Sequence, residues 1–247
     1  MNNYENFYQL HQQNDPLILA NAWNATSARI FEKMGFKAVA TSSAAIANSL
    51  GYDDGEKISF GEMFYVVERI LSVISIPLSV DIETGYSQDV AEVTGNIQKL
   101  HDIGVVGINL EDSQGKEVFI KKLSSIKNHL EKNNMKLFVN ARTDSFLLNL
   151  PSPLEKTLER LNPYQEAGAD GIFVPFIRQP EDIKKVTAAT SLPVNVLCMP
   201  YLTSVKTMAE CGVRRISMGN FLFKANYNHL ETLLEEINNR QSFSPLF

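Results

Sequence analysis

The sequence is poor in cysteine, in long hydrophobic runs and in clustered positive charge. Its two cysteines, Cys198 and Cys211, lack CxxC spacing, so they indicate neither a zinc site nor a disulfide framework. No apolar run approaches the length of a membrane span. The net charge is −5 and no basic run exceeds a pair of residues, which argues against nucleic acid and anionic membranes as partners. The first residues lack a basic region and an apolar core, so we expect no signal peptide and a cytoplasmic location.

Two signatures of common enzyme classes are also missing. No GxGxxG fingerprint follows the first apolar run, where a doubly wound nucleotide-binding sheet would carry it. None of the four histidines follows a predicted strand: they are His11, His101, His129 and His229. Their positions predict surface or packing roles and argue against a Ser-His-Asp hydrolase or a histidine-ligated zinc site.

What the sequence does contain is a regular alternation of apolar and amphipathic segments. Eight short runs rich in Val, Ile and Leu predict strands at 16–22, 36–42, 76–82, 104–110, 135–141, 170–176, 192–198 and 212–218. Because most of these runs are continuously apolar, they are typical of parallel strands buried on both faces. Four intervening segments end in a glycine that favours a helix C-terminus: Gly35, Gly104, Gly168 and Gly212. Eight strand–helix units in 247 residues predict a single α/β domain over 1–247, a (β/α)8 TIM-type barrel.

Two segments fit this regular pattern less well. Pro163 lies inside the helical segment 153–167 and predicts a kink or an early break there. The connection between strands two and three, 43–75, is long. Long connections in compact domains are commonly functional, so this one is a candidate for an active-site loop.

Charged side chains gather after three neighbouring strands. In VDIETGY, strand three ends in Asp81 and Glu83, whose side chains point the same way in an extended chain and repel each other. Strand four ends in Glu111 and strand five in Arg142. The long loop after strand two adds further carboxylates on the same side: Asp53, Asp54 and Glu56. Since barrel enzymes place their sites at the C-terminal ends of the strands, this pattern predicts a site there.

The residue types at this predicted site restrict its chemistry. Oxygen ligands without histidine suit a hard cation, so we expect Mg²⁺ or Mn²⁺ held by three carboxylates: Asp81, Glu83 and Glu111. Arg142 is suited to bind a substrate carboxylate through two hydrogen bonds. Backbone N–H groups near Ser42 and Ser43 offer a second anion site if they begin a helix. Together these features favour a small oxo-acid whose enolate is stabilised by the metal.

Four stretches of the sequence resemble the isocitrate lyase/phosphoenolpyruvate mutase superfamily. They are NAWNATSARIFEKMGFKAVATSSAAIANSLGYDDGE (21–56), VDIETGY (80–86), GVVGINLEDS (104–113) and NARTD (140–144). They occur in the family's order and spacing, and the rest of the chain matches in its βα order alone. The resemblance implies a barrel enzyme. Family members commonly form tetramers, often with swapped C-terminal helices, and here that helix would be 223–240.

The resemblance also implies roles for individual residues. The metal carboxylates would be Asp81, Glu83 and Glu111, some of them bound through water. The substrate-binding residues would be Ser42, Ser43, Asp81 and Arg142. The catalytic residues would be Arg142 and, on a gating loop, Asp53. The active-site loops would span 43–58 and 112–118. The family generally has Asp-x-Asp where this chain has Asp-Ile-Glu, and the longer side chain implies a shifted metal or a different number of waters.

Departures from the family leave the reaction open. The lyase branch carries a Lys-Lys-Cys-Gly-His-type motif after strand four, where this chain reads SQGKEVF without Cys or His. The phosphonate branch carries a lysine followed by Asn and Ser or Thr. Lys116 aligns with that lysine, but no Asn-Ser follows it, and Pro175 replaces a histidine after strand six. Lys116 is either a catalytic lid residue or a lysine on a solvated helix. Asn195 is either a substrate contact or an interior amide of strand seven.

Three functional hypotheses follow from these residues. The first is a Mg²⁺-dependent carbon–carbon lyase or decarboxylase that acts through an enolate, with an oxaloacetate-like acid as the simplest substrate because its cleavage needs no cysteine acid. The second is a phosphonomutase or phosphonopyruvate hydrolase. The third is a non-catalytic oxo-acid binding protein. All three predict a small-molecule carboxylate as partner, and the resemblance adds a homo-oligomer, either a tetramer or a dimer.

Overall fold

Eight parallel strands close into a barrel in the computed structural model, which describes residues 2–247. The strands are β1 Leu17–Ala22, β2 Val39–Thr41, β3 Leu78–Asp81, β4 Gly107–Glu111, β5 Phe138–Arg142, β6 Gly171–Val174, β7 Val194–Leu197 and β8 Arg215–Ser217. Each strand pairs with the next in the sequence, and β8 pairs with β1 to complete the closure. Every strand overlaps its predicted segment, so the predicted (β/α)8 barrel is confirmed.

Helices connect the strands and surround the barrel. They are α1 Asn3–Leu10, α2 Ala25–Lys33, α3 Ser43–Ser49, α4 Phe60–Leu71, α5 Val90–Asp102, α6 Lys116–Lys132, α7 Pro153–Glu166, α8 Pro180–Ala188, α9 Val205–Glu210 and α10 Phe221–Arg240, followed by a 3₁₀ helix at Ser244–Leu246. The long connection after β2 therefore contains α3, an irregular loop at 50–59, and α4. Within residues 2–247, no helix is long and apolar enough to cross a membrane.

Two predictions about where helices end can be compared with the structure. The four glycines predicted to follow helices, Gly35, Gly104, Gly168 and Gly212, have φ values of +85°, +102°, +103° and +83°, so this prediction is confirmed. The early break considered at Pro163 is wrong, because α7 continues through it to Glu166. Proline removes a single N–H from the helix, and the Ala167 N–H still donates to the Pro163 carbonyl at 3.0 Å.

Helix α1 closes the N-terminal end of the barrel. Phe7 is fully buried, with its ring centroid 5.7 Å from that of Phe138, and the His11 ring stacks on Phe138 at 4.2 Å. His11 Nδ1 lies 2.8 Å from the Phe7 carbonyl, which only accepts, so Nδ1 carries the proton. Burial, reinforced by the charge of Arg215, lowers the pKa of His11 to about 3. The ring is therefore neutral at physiological pH, and its role is packing.

A layer of polar side chains crosses the barrel interior. Arg215 of β8 is buried, and its Nη2 lies 3.1 Å from Asn109 Oδ1 and 3.5 Å from Ser79 Oγ. Asn140 Nδ2 donates to the same Asn109 oxygen at 2.9 Å. Ser79, Asn109 and Asn140 each lie two positions before the last residue of β3, β4 and β5. These hydrogen bonds therefore tie together the three strands whose ends carry the charged residues.

Candidate active site

Asp81 ends β3 with its carboxylate buried. Its Oδ2 accepts a hydrogen bond from Ser43 Oγ at 3.0 Å, while its Oδ1 is buried without a partner among the described residues. Burial raises the pKa of Asp81, and the charge of Arg142 opposes this effect. A buried carboxylate oxygen without a donor is costly unless a cation or water satisfies it.

Two more carboxylates lie beside Asp81. Burial raises the pKa of Glu83, in the turn after β3, to about 8, and like charges on Asp81, Asp54 and Glu111 add to the effect. Burial also raises the pKa of Glu111, which ends β4, to about 7, although the Arg142 guanidinium opposes it. The extended geometry expected for VDIETGY is wrong, because β3 ends at Asp81 and Glu83 lies in a turn with a φ of +50°, but the charge of Asp81 still raises the pKa of Glu83.

These carboxylates do not form a preformed set of metal ligands. Across residues 2–247, no group of three or more His, Cys, Asp and Glu side chains converges closely enough to hold a metal ion by itself. Mg²⁺ differs from structural metals in this respect, because it is usually bound through one or two carboxylates and keeps several waters. The unpartnered Asp81 oxygen and the repelling carboxylates beside it fit such a cation.

Arg142 ends β5 and is held by carboxylates on two sides. Its Nε and Nη2 donate to the two oxygens of Asp144 at 2.7 Å and 3.1 Å, and its Nη1 lies 2.9 Å from Glu111 Oε2. A guanidinium has five N–H groups, so one on Nη1 and one on Nη2 are left for a substrate. The guanidinium also lies 6.0 Å from the centre of the Phe173 ring. Arg142 is thus a fixed cation with donors to spare.

Ser42 and Ser43 lie at the start of α3, as expected for a helix that begins after β2. Ser42 Oγ accepts a hydrogen bond from the Ala45 N–H at 3.3 Å and so caps the helix. The Ser43 hydroxyl donates instead to Asp81. Of the two serines, Ser43 is the one whose side chain contacts the carboxylate group.

Among the loop carboxylates, Asp54 rather than Asp53 acts on the buried cluster. Asp53 is exposed, and its side chain forms no ion pair within the part of the chain that the structure describes. The charge on Asp54 raises the pKa of both Asp81 and Glu83. The catalytic role of Asp53 therefore stays a prediction, and the neighbouring residue becomes a second candidate.

Lys116 and Asn195 lie outside the carboxylate cluster. Lys116 begins α6, and its Nζ lies 3.9 Å from Oε1 of the adjacent Glu117. Asn195 is fully buried in β7, in register with Arg215 of β8. Paired residues of neighbouring strands face the same side of a sheet, so Asn195 shares the barrel interior with Arg215. Asn195 is thus interior by position, but its Nδ2 and Oδ1 are both buried without a hydrogen-bond partner among the described residues, so the satisfied interior amide is not found and the substrate contact stays a prediction.

A buried network behind Arg142 was missed from the sequence. Asp112 Oδ1 accepts the Asp144 N–H at 2.9 Å, while its Oδ2 accepts from the Tyr164 hydroxyl and lies 3.3 Å from Arg160 Nε. Arg160 and Tyr164 are four residues apart on α7, so their spacing places them on one helix face. Nothing in the sequence shows that this face packs against the rim. The network holds Asp144, which in turn holds Arg142.

Comparisons with known proteins identify the family of the chain. A family profile described as phosphoenolpyruvate phosphomutase matches residues 7–238. A solved structure of a presumed phosphonomutase from Burkholderia cenocepacia J2315 has 34% sequence identity and a TM-score of 0.89, covering 94% of this chain and 99% of that one. The 2-methylisocitrate lyase of Aeropyrum pernix is 27% identical over 93% of this chain and 78% of its own length. The oxaloacetate decarboxylase of Pseudomonas fluorescens SBW25 is 28% identical over 85% of this chain and 78% of its own length.

The matched region includes the whole barrel and every carboxylate described above. The resemblance carried by the four sequence motifs is therefore confirmed, and the relatives are lyases and mutases. The chain is an enzyme that belongs to the phosphoenolpyruvate phosphomutase family, within the isocitrate lyase/phosphoenolpyruvate mutase superfamily.

Proposed function

We propose that this enzyme depends on Mg²⁺ and breaks a carbon–carbon bond in a small 2-oxo or 2-hydroxy carboxylate through an enolate. Its simplest form is decarboxylation of an oxaloacetate-like acid. The observation that carries the proposal is the buried, unpartnered Oδ1 of Asp81 beside like-charged carboxylates and Arg142. Negative charge for a cation and positive charge for a substrate carboxylate thus meet at one end of the barrel.

Three carboxylates would surround the cation, one or two of them as direct ligands and the rest through water: Asp81, Glu83 and Glu111. When bound, Mg²⁺ supplies positive charge against the negative charge that develops on the substrate oxygens. Ser43 orients Asp81 through its hydrogen bond. Glu83 has one methylene more than the family's usual aspartate, so it reaches further from its turn. Mn²⁺ has similar ligand preferences and is expected to replace Mg²⁺.

Arg142 would bind the substrate carboxylate through its two remaining N–H groups. Because Asp144 and Glu111 already fix the guanidinium, little side-chain freedom is lost when substrate binds. Asp53 and Lys116 would act from loops 43–58 and 112–118, closing over the substrate.

Decarboxylation suits the loop that follows β4. In that reaction the bond to the leaving carboxylate breaks, its electron pair moves into the enolate, and CO₂ departs. The enolate then takes a proton from water. No cysteine or histidine acid is needed for the bond to break, and residues 112–118 contain neither.

The second candidate is phosphorus–carbon bond chemistry by a phosphonomutase or phosphonopyruvate hydrolase. It is favoured by the similarity to the presumed phosphonomutase of known structure, at 34% identity. Lys116 lies at the start of α6, where the phosphonate branch has its lysine. The missing Asn-Ser after Lys116 argues against this candidate.

We also infer a homo-oligomer in which α10 packs on a partner subunit. No residue of α10 is buried within its own chain, and its exposed side chains include Tyr227, Leu230 and Leu234. An apolar groove of about 720 Å³ lies next to β1 and the end of β8, where the eighth helix of a barrel would pack, and includes Leu17, Ile18, Met34, Phe36 and Met218 in its lining. Light scattering tests this inference, and a monomeric mass would contradict it.

A substrate screen tests the reaction. The enzyme is incubated with Mg²⁺ and oxaloacetate, 2-methylisocitrate or phosphonopyruvate, and pyruvate formation is followed with lactate dehydrogenase. The second product then distinguishes the reactions, because CO₂, succinate and phosphate identify the three bonds broken. We expect pyruvate and CO₂ from oxaloacetate, with a rate at least about 100-fold lower in Asp81→Asn.

Asp81→Asn also serves as the control for the spontaneous, metal-promoted decay of oxaloacetate in solution. Turnover of phosphonopyruvate alone would replace the first candidate with the second: pyruvate and phosphate indicate the hydrolase, and phosphoenolpyruvate, detected as pyruvate once pyruvate kinase and ADP are added, indicates the mutase. No turnover of any of the three acids above the Asp81→Asn rate would contradict both.

A further inference from the structure

The turn that follows β3 has an unusual backbone conformation. Glu83, Gly85 and Tyr86 have φ values of +50°, +108° and +61°. Residues with a side chain disfavour the left-handed region, because their Cβ approaches the following carbonyl oxygen. Gly85 has no space for one, because an added Cβ would lie 2.7 Å from Val93 Cγ1. The turn that presents Glu83 therefore depends on contacts from elsewhere in the chain.

Glu56 supplies such contacts from the loop at 50–59. Its Oε1 accepts hydrogen bonds from the Thr84 N–H at 2.9 Å, the Thr84 hydroxyl at 2.8 Å and the Tyr86 N–H at 2.8 Å. Backbone N–H groups that converge in a turn form a concavity that binds anions, and here the Glu56 carboxylate fills it. Hydrogen bonds to an ionised carboxylate are roughly twice as strong as those between neutral groups.

Lys122 binds the other side of the same turn. It is buried on α6, and its Nζ donates to the Thr84 carbonyl at 2.5 Å and to Gln114 Oε1 at 3.2 Å. The backbone at Thr84 is thus held between a carboxylate from one loop and an ammonium from a helix. Two separate parts of the chain, the loop of Glu56 and α6, therefore hold this turn, and of these only the loop also carries Asp54.

We propose that Glu56 is a positioning residue that docks the loop at 50–59 onto the turn at 83–86. Docking fixes Glu83 within the carboxylate group. It also places Asp54, two residues before Glu56, where its charge acts on Asp81. The consequence for metal binding rests on the proposed function, whereas the docking of the loop does not.

Two substitutions of Glu56 separate its geometry from its charge. Glu56→Ala removes the acceptor, and Glu56→Gln keeps an oxygen for the same three donors without the charge. The readouts are Mn²⁺ affinity by calorimetry and the rate of tryptic cleavage after the exposed Lys57 in the same loop. We expect Glu56→Ala to weaken Mn²⁺ binding about tenfold and to accelerate cleavage about tenfold, with Glu56→Gln between it and the wild type.

Glu62 provides the matched control. Its carboxylate accepts hydrogen bonds from the Ser59 N–H at 2.9 Å, the Ser59 hydroxyl at 2.8 Å and the Tyr52 hydroxyl at 3.0 Å, so it contacts the same loop as Glu56 but not the turn at 83–86. Glu62→Ala is expected to leave Mn²⁺ affinity unchanged. Thr84→Val tests the same contact from the turn, because it removes one of the three donors to Glu56. We expect it to lower Mn²⁺ affinity about threefold, and this test remains available if Glu56→Ala does not fold.

Wild-type Mn²⁺ affinity together with wild-type cleavage in Glu56→Ala would overturn the proposal. An equal loss of affinity in Glu62→Ala would also overturn it, because any carboxylate lost from this region would then have the same effect. If the wild-type protein bound no Mn²⁺, the proposed function would fail, and the cleavage rates would still decide whether Glu56 docks the loop.

Discussion

The two ends of the barrel bury titratable residues in opposite ways. At the N-terminal end, His11 stacks on Phe138, and burial lowers its pKa to about 3, so the ring is neutral. At the C-terminal end, Glu83 is buried and Asp81 and Glu111 are partly buried, and burial with like charge raises the pKa of Glu83 to about 8. One end avoids electrostatic repulsion and the other retains it.

This difference separates stability from function within one fold. Residues at the N-terminal end are held by apolar packing that needs no ligand. The carboxylates at the C-terminal end repel one another and so destabilise the metal-free protein, and the proposed cation would offset that repulsion. Barrel enzymes place their active sites at this end, and an active site of this kind lowers the stability of its own fold.

The largest expected effect on stability comes from removing a buried aromatic ring at the N-terminal end of the barrel. Phe7→Ala should lower the free energy of unfolding by about 3–5 kcal/mol, because a large, fully buried ring leaves a cavity. Denaturation with urea measures the change. Tyr8→Ala is the control, since Tyr8 is 39% exposed on the same helix and should cost far less. Mn²⁺ affinity of folded Phe7→Ala should equal that of the wild type, and a parallel loss of affinity would show that the two ends are coupled.

A second prediction concerns the pH dependence of stability in the metal-free protein. Glu83 and Glu111, with pKa values raised to about 8 and about 7, bind protons more tightly when folded. Their stabilising effect is complete below their ordinary pKa near 4.5 and is lost as pH rises through the folded values. His11 also titrates in the unfolded state near its ordinary value of 6.5, but it is present in both the wild type and a Glu83 variant, so its contribution cancels when the two are compared.

Glu83→Gln isolates the larger of these two contributions. Between pH 6.5 and 8, the free energy of unfolding of the wild type should fall relative to Glu83→Gln by on the order of 1–2 kcal/mol. Urea denaturation at several pH values provides the comparison. Parallel curves for the two proteins would mean that Glu83 is not held protonated by its neighbours.

The smallest expected effect distinguishes two adjacent loop residues. Asp54→Asn should change Mn²⁺ affinity by about threefold, because an exposed charge acts on the cluster through solvent. Asp53→Asn should change it less, since the charge that reaches Asp81 and Glu83 belongs to Asp54. The opposite order would restore Asp53 as the residue that acts on the metal.

The barrel could be predicted from the sequence because each strand is a continuous apolar run and several helices end in glycine. Both signals are local, because they depend on neighbouring residues in the sequence and not on contacts made after the barrel has closed. The break considered at Pro163 was wrong for a tertiary reason. Leu161 and Tyr164 on either side of it are buried, and their packing outweighs the loss of one hydrogen bond.

The site was predictable only where its residues directly follow a strand. Asp81, Glu111 and Arg142 can be found in this way, because a charge that ends a buried run stands out. The contact of Glu56 with the turn after β3 and the role of Arg215 cannot, because their partners are 28 or more residues away in the sequence. Their effect comes from contacts that exist only once the barrel has closed.

A calorimetric titration of the wild-type enzyme and Asp81→Asn with Mn²⁺ is the most direct test of a metal site at the end of β3. Asp81→Asn keeps the shape of the side chain and removes its charge, so the fold should be preserved. We expect saturable binding of one ion per chain in the wild type and an affinity at least about 100-fold lower in Asp81→Asn. Equal affinities in the two proteins would contradict the assignment of a metal site to the end of β3.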